Sequence, residues 1–351
     1  MGAEVWTVGA GVPGFVARQA ERAEMAGYDG LLMVDSQNLA GDPYVALAIA
    51  ARSTDRLQLG TGVTNPVTRH PAVTAAAIAS VQGESGGRAV LGIGRGDSAL
   101  AHIGRAPAPV AEFEHYLTTL QSYLRGEAVP FDATNTSIDT LGLAGAPSES
   151  RMHWVSMVTP KVPVDVAATG PRVLALAARL ADRVTFAVGA DPARVAWARE
   201  QVLDARRAAG LPEDGLSLGA YVNVVAHPER DVALQVASGG LASFARFSVM
   251  HGVTTGPVDD ASRAVLDEVH AAYDMTHHTR AGAPQTEALT PDFAARFAVL
   301  GPADECVARL RELVDLGLDR LVIIGPSINA DRAESAVAHR TFASEVLPAL
   351  R

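Results

Sequence analysis

The chain is 351 residues long with 48% hydrophobic residues, enough to bury a large core as one barrel of ordinary size or as two smaller domains. Its formal net charge of -10 offers no basic field for phosphate backbones or anionic lipid heads, so neither nucleic acid nor a membrane surface is expected as a partner. A single cysteine, Cys306, excludes an intrachain disulfide framework, and no window reaches the roughly 18 uninterrupted apolar residues of a membrane span. The start, Met1-Gly2-Ala3-Glu4, has no basic stretch leading into an apolar run, so no signal peptide is read there and a cytoplasmic protein is expected.

Eight short apolar runs follow one another at 5–8, 30–34, 57–63, 89–93, 164–168, 184–188, 216–225 and 320–324. Each leads through polar or glycine-rich residues into a helical pattern, the alternation of βα units. Val16, Ala20, Ala23 and Gly27 recur at helical spacing, as do Val73, Ala77 and Val81, and then Val307, Leu310 and Val314; all three sets read as core-facing. Pro71, Pro171 and Pro302 fall at first helical positions, and Gly27, Gly86 and Gly317 follow last turns. Eight strands in unbroken alternation, with no linker, predict one closed parallel (β/α)8 barrel (an α/β TIM barrel) over residues 1–351 rather than an open doubly wound sheet.

Two intervals are too long for a simple connection: 94–162 after the fourth strand and 226–319 after the seventh. In the first, 112–124 reads as the barrel helix, which leaves an insertion at about 126–162 as loop or hairpin. In the second, 230–250 and 261–273 read as extra helices of an insertion at about 230–293. Both insertions follow strand C-termini, so both are expected to rise over the catalytic face of a barrel and to select the substrate.

The residues that can carry chemistry sit at strand ends. Asp35 closes the second strand, either as a functional carboxylate or as an Asx turn into the Asp42-Pro43 helix start. The third ends Gly60-Thr61-Gly62-Val63-Thr64-Asn65, where glycines either admit a planar ligand to the backbone or serve a tight turn. The fourth ends Gly92-Ile93-Gly94-Arg95-Gly96-Asp97; the run lacks the third glycine of a dinucleotide fingerprint, and Asp97 either handles a proton or caps a short helix at Ser98. The fifth runs into Thr169-Gly170-Pro171-Arg172 before a helix, a place for a phosphate or simply a helix start. Arg95 and His102 can orient an anionic or carbonyl group. His277 and His278 lack H-x-x-x-H spacing and companion carboxylates, so no metal site is expected; His277 is expected in a solvated loop or against substrate. Cys306, beside Val307 and Leu310, reads as packing.

Taken together, Asp35, residues 59–71, residues 91–97 and residues 168–172 resemble the luciferase-like superfamily, and within it the branch of coenzyme F-420-dependent enzymes similar to methylenetetrahydromethanopterin reductase. The resemblance covers nearly the whole chain and is strongest over 14–125. It implies a bacterial luciferase-like barrel, a homodimer, and either the 8-hydroxy-5-deazaflavin F-420 or, as the alternative, FMN at the strand C-termini. It implies a non-prolyl cis peptide at Gly62-Val63 behind the middle ring of the cofactor, Asp35 at the outer ring, and Thr169-Gly170-Pro171 with Arg172 at the phosphate. Thr64, Asn65, Gly94, Arg95 and Gly96 complete the cofactor set. Asp97 falls where sugar-phosphate dehydrogenase relatives place a proton-handling glutamate. Relatives that use F-420 often have Asp-His at the end of strand two, where this chain has Asp35-Ser36. The implied activity is hydride transfer to or from a small-molecule substrate, with FMN-dependent monooxygenation and a non-catalytic flavin-binding barrel as rivals, and a flavin or F-420 reductase as a partner.

Overall fold

The computed structural model describes residues 2–131 and 137–351. Its strands are β1 (Glu4–Gly9), β2 (Gly30–Met33), β3 (Gln58–Thr61), β4 (Ala89–Ile93), β5 (Val164–Ala168), β6 (Arg183–Phe186), β7 (Ser217–Ala226), β8 (Val299–Gly301) and β9 (Arg320–Ile324). β1 to β6 pair in sequence order, β6 pairs with β7, β7 with β9 and β9 with β1, so eight parallel strands close into the barrel expected from the alternation. Strand β8 is the exception. It pairs only with the last residues of β7, from Val224↔Val299 to Ala226↔Gly301, outside the closed ring. Three residues are too few for a periodicity to show in the sequence.

Side chains alternate across each strand, so every second residue points inward. Trp6, Leu32, Val90, Tyr221 and Val322 pack together there. The barrel has room for Trp6 because β2 begins with glycine: a Cβ on Gly30 would lie 2.2 Å from the Trp6 ring. Below them Asp165 and Arg320 form a buried ion pair at 2.9 Å, with the Thr185 hydroxyl donating to Asp165. The outward faces of the strands meet the helices in one large apolar core.

The helices are α1 (Val16–Ala26), α2 (Pro43–Ser53), α3 (Pro71–Glu84), α4 (Ser98–Ala101), α5 (Val110–Leu124), α6 (Pro171–Leu180), α7 (Pro192–Ala208), α8 (Arg230–Phe247), α9 (Asp260–Ala271), α10 (Pro291–Phe297), α11 (Ala303–Asp315) and α12 (Arg332–Thr341). Val16, Ala20 and Ala23 are buried as their spacing predicted, and Gly27 ends α1 with φ of 95°. Pro71 and Pro171 are first helical residues, whereas Pro302 stands one place earlier, at the cap of α11. In α3 the expected core stripe holds at Val81, which is buried, but fails at Val73, which is 56% exposed; Thr74, Ala75, Ile78 and Ala79 fill the inner face instead. From Pro71 to Gly83 the helix has no charged residue, so its sequence gave periodicity nothing to distinguish an inner from an outer face.

The first insertion holds an antiparallel bridge between Val129 and Ser150 and single turns at Ile138–Leu141 and Val155–Met157; its residues 132–136 lie outside the described residues. The second holds α8 and α9, close to the two expected helices, and also α10 and β8. Helix α8 lies against the end of the barrel: Phe244 packs on Tyr221 with ring centroids 5.7 Å apart, and Phe247 meets Phe244 edge to face at 5.2 Å. Among the described residues no helix is long and apolar enough to cross a membrane.

Candidate active site

On the side of β2 and β3, Asp35 leaves the strand end with its side chain buried. One oxygen accepts from the Thr64 hydroxyl at 2.7 Å and from Arg69 Nη1 at 2.6 Å, and the other from Gln37 Nε2 at 2.5 Å. Arg69 spans the wall, donating its second arm to Asp42 at 2.8 Å and lying over the Tyr44 ring at 5.0 Å. The N-cap of α2 is Asp42, which accepts from the Tyr44 and Val45 amides. The capping role therefore belongs to Asp42, and Asp35 is joined to it through Arg69.

The Gly62-Val63 peptide is cis, as the resemblance implied. Beyond it the chain is laced to β4: Thr64 N–H donates to Gly92 C=O, and Gly94 N–H donates to Thr64 C=O. Asn65 is buried, its Oδ1 accepting from the Val67 and Thr68 amides and its Nδ2 without a partner. A Cβ on Gly92 would lie 2.0 Å from Thr61 O and one on Gly94 would lie 3.2 Å from Val63 Cγ2, so this edge tolerates only glycine at the first and is flat at both.

Arg95, Gly96 (φ 92°) and Asp97 follow. Asp97 occupies the cap position of the four-residue α4, but its side chain makes no capping bond. Both oxygens instead accept from Arg246 of α8, at 2.6 and 2.8 Å, with each side chain 14% exposed. Arg95 donates to Ala108 C=O at 2.5 Å and approaches His251 Nε2 at 3.5 Å. Burial, and next the neighbouring positive charge of Arg172, lower its pKa. Arg172 stands in the first turn of α6, whose cap residue Gly170 supplies no side-chain bond; Pro171 is its first residue, and Thr169 donates to Ala187 C=O at 3.3 Å. Orphan amides and two guanidiniums thus converge at one end of the mouth.

The second insertion supplies a further group. Arg246 lies over the Tyr273 ring at 4.6 Å. The Tyr273 hydroxyl is 2.7 Å from His278 Nδ1 and 2.9 Å from Ser243 Oγ. Burial pushes the His278 pKa down to about 4 and that of Tyr273 up to about 12. His102 faces this group, its Nε2 buried without a partner and its carbonyl accepting from Asn38. His277, expected in a solvated loop or against substrate, is half exposed and paired with Asp274 at 2.5 Å, as a solvated loop would have it; its neighbour His278 is the one brought near Asp97. Adjacent residues in an irregular turn point in different directions, and nothing in the pair His277-His278 says which faces inward. The sequence reading also missed Arg69, Arg246, Tyr273 and His251. Arg69 lay inside a motif already noted, and its position just ahead of a Pro-initiated helix was the one available signal. A groove of about 410 Å³ lined by Leu234, Gln235, Leu289 and Glu334 shares no residue with this site.

The chain is 29% identical over 317 residues to a 5,10-methylenetetrahydromethanopterin reductase of Methanolobus tindarius, covering 89% of this chain and 91% of that protein. It is 28% identical over 312 residues to an F-420-dependent glucose-6-phosphate dehydrogenase of Microbacterium testaceum, covering 87% and 81%. The solved structure of coenzyme F-420-dependent tetrahydromethanopterin reductase from Methanopyrus kandleri superposes with a TM-score of 0.73 at 22% identity, over 100% of this chain and 99% of that one, and so shares its fold. The family model for luciferase-like monooxygenase matches residues 2–320, and the chain, a closed parallel barrel with its polar groups gathered at the strand C-termini, belongs to that family.

Proposed function

We propose that this chain is a coenzyme F-420-dependent oxidoreductase that moves hydride between the deazaflavin and a small organic substrate. One observation carries the reading. Arg95 and Arg172 are close enough that the second lowers the pKa of the first, beside the uncapped start of α6, and neither is in a salt bridge among the described residues. Like charges gathered at a helix N-terminus fit a phosphate. The flat edge of Gly92, Gly94 and Val63 suits a planar ring, with Thr64, Asn65 and Gly96 shaping its border and Asp35 behind it. The two F-420-linked relatives support the same choice of cofactor.

When bound, the deazaflavin supplies a carbon that gives or takes hydride. The residues of this chain bind, orient and exclude water. Asp97, with both oxygens on Arg246, anchors the insertion at the reacting end, and a separate reductase or dehydrogenase returns the cofactor to its starting redox state. Titration of the purified protein with F-420 and with FMN, followed by fluorescence, tests the reading. Micromolar or tighter F-420 binding is expected, weakened about tenfold by Arg172→Ala. Preference for FMN with oxygen consumption would make it a monooxygenase; binding of neither would overturn every flavin and deazaflavin reading and leave the barrel uncommitted.

The homodimer fits the outer faces of α2 and α3, where Val45 (62%), Ile49 (42%) and Val73 (56%) are exposed and α3 carries no charge before Glu84. Exposed apolar side chains on two neighbouring helices suit a partner, and a second copy offers a self-complementary one. Ile49→Arg should convert a dimer to a monomer in light scattering without lowering F-420 affinity; a wild-type monomer would overturn the assignment.

A further inference from the structure

We propose that His278 is a catalytic base with a bare Nε2, set to accept a proton from a hydroxyl or amine on the carbon that gives up hydride. The inference rests on the F-420 reading for the hydride acceptor and on a hydrogen-bond chain for the base.

The direction of that chain follows by elimination. Ser243 Oγ lies 2.9 Å from Gly239 C=O, and a carbonyl only accepts, so the single Ser243 proton goes there. The proton between Ser243 and Tyr273, at 2.9 Å, must then belong to Tyr273. Having spent its only proton, the Tyr273 oxygen accepts at 2.7 Å from His278, whose Nδ1 therefore carries the hydrogen. In a neutral imidazole Nε2 is left with its lone pair. The ring is neutral because burial holds its pKa at about 4. Nε2 takes no hydrogen bond among the described residues and is not among the fully buried atoms without a partner, so it keeps contact with solvent on a ring whose charged neighbours are Asp97, Arg246 and His102.

The groups that face the ring are Asp97, Arg246, His102 and Tyr273. Asp97 and Arg246 neutralise one another, so neither is a competing free base or acid. The step balances: the substrate O–H or N–H proton passes to Nε2, its C–H electron pair leaves as hydride to the oxidised deazaflavin, and the C–O or C–N single bond becomes double. With its pKa held at about 4 the ring takes the proton only as the hydride leaves, when the substrate O–H or N–H has become strongly acidic, and the imidazolium then returns it to water. Tyr273 also carries Arg246 on its ring face, but its hydroxyl serves Ser243 and His278, and fixing a tautomer is what such a hydrogen-bond chain does.

The test is long-range proton–nitrogen correlation NMR on histidine-labelled protein, first without cofactor. The expected result is His278 with hydrogen on Nδ1, changing to the Nε2–H form in Tyr273→Phe. Hydrogen on Nε2 in the wild type overturns the inference whatever the protein binds. His278→Gln should keep F-420 affinity but lower oxidation of isopropanol, cyclohexanol or isopropylamine by about 100-fold or more, the usual scale for a general base. Equal turnover by His278→Gln, or no turnover of these probes by wild type, overturns the catalytic role. Loss of F-420 binding in the wild type sinks the cofactor reading and leaves the tautomer result standing.

Discussion

At one wall of the mouth Asp35 is held by Arg69, 34 positions along the chain; at another Asp97 is held by Arg246, 149 positions away. Both pairs join an aspartate at the end of a barrel strand to an arginine lying over a tyrosine ring. Their surroundings differ. Asp35 is fully buried and receives bonds from Thr64, Arg69 and Gln37, and Arg69 is itself tied to Asp42 at the head of α2. Among the described residues the Asp97 carboxylate receives only the two arms of Arg246. The Asp35 carboxylate is braced several times over, whereas the Asp97 carboxylate rests on one ion pair, the insertion being tied elsewhere by Arg194 to Ser248 and Pro257 and by Phe244 on Tyr221. The insertion can then vary at Asp97 without disturbing the network that holds Asp35.

Removing each arginine tests this contrast. Arg69→Ala should cost about 4 kcal/mol in urea denaturation, because it strands a buried carboxylate and uncouples α2. Arg246→Ala should cost about 2 kcal/mol, since Asp97 can turn to water, and should raise amide exchange through α8 and residues 273–280 while the β2–β3 loops stay protected. Equal costs, or uniform exchange, would break the comparison.

A pH series sharpens it further. The folded His278 pKa is depressed to about 4, below the ordinary histidine value of about 6.5. The unfolded ring takes up a proton that the folded ring refuses, so its contribution is present above about pH 6.5 and is lost as pH falls toward 4, by about 3 kcal/mol at most. Denaturation midpoints of wild type and His278→Gln should diverge through that window. Parallel curves would mean that the ring is more open to water than its packing indicates.

The same contrast explains how far the sequence could be read. Strand ends announce themselves, because an apolar run stops and a glycine or carboxylate follows; Asp35, Gly62-Val63, Gly94 to Asp97 and Thr169 to Arg172 were all found that way. Arg246 could not be. It sits in a helix among Phe244, Ala245 and Phe247, where an arginine near the C-terminus reads as an ordinary dipole partner. His278 was passed over for His277 because the choice depends on backbone turns around Met275–His277 that leave no periodic trace. Strand β8 was invisible for its brevity, and the inner face of α3 for its lack of charge.

By itself the sequence determined the alternation of strands and helices, the closure into a parallel barrel, the glycine-rich strand ends and the places where long excursions leave the ring. These follow from local spacing, from turn chemistry and from the need of each apolar run to be covered on both sides. The tertiary structure decided which residue of the second insertion meets Asp97, which of the two adjacent histidines is drawn in beside it and that Ser243, Tyr273 and His278 form one hydrogen-bonded chain. Those depend on how a long excursion of chain folds back over the barrel, and contacts between residues 97, 246 and 278 have no local signature because nothing near any one of them in sequence specifies the other two.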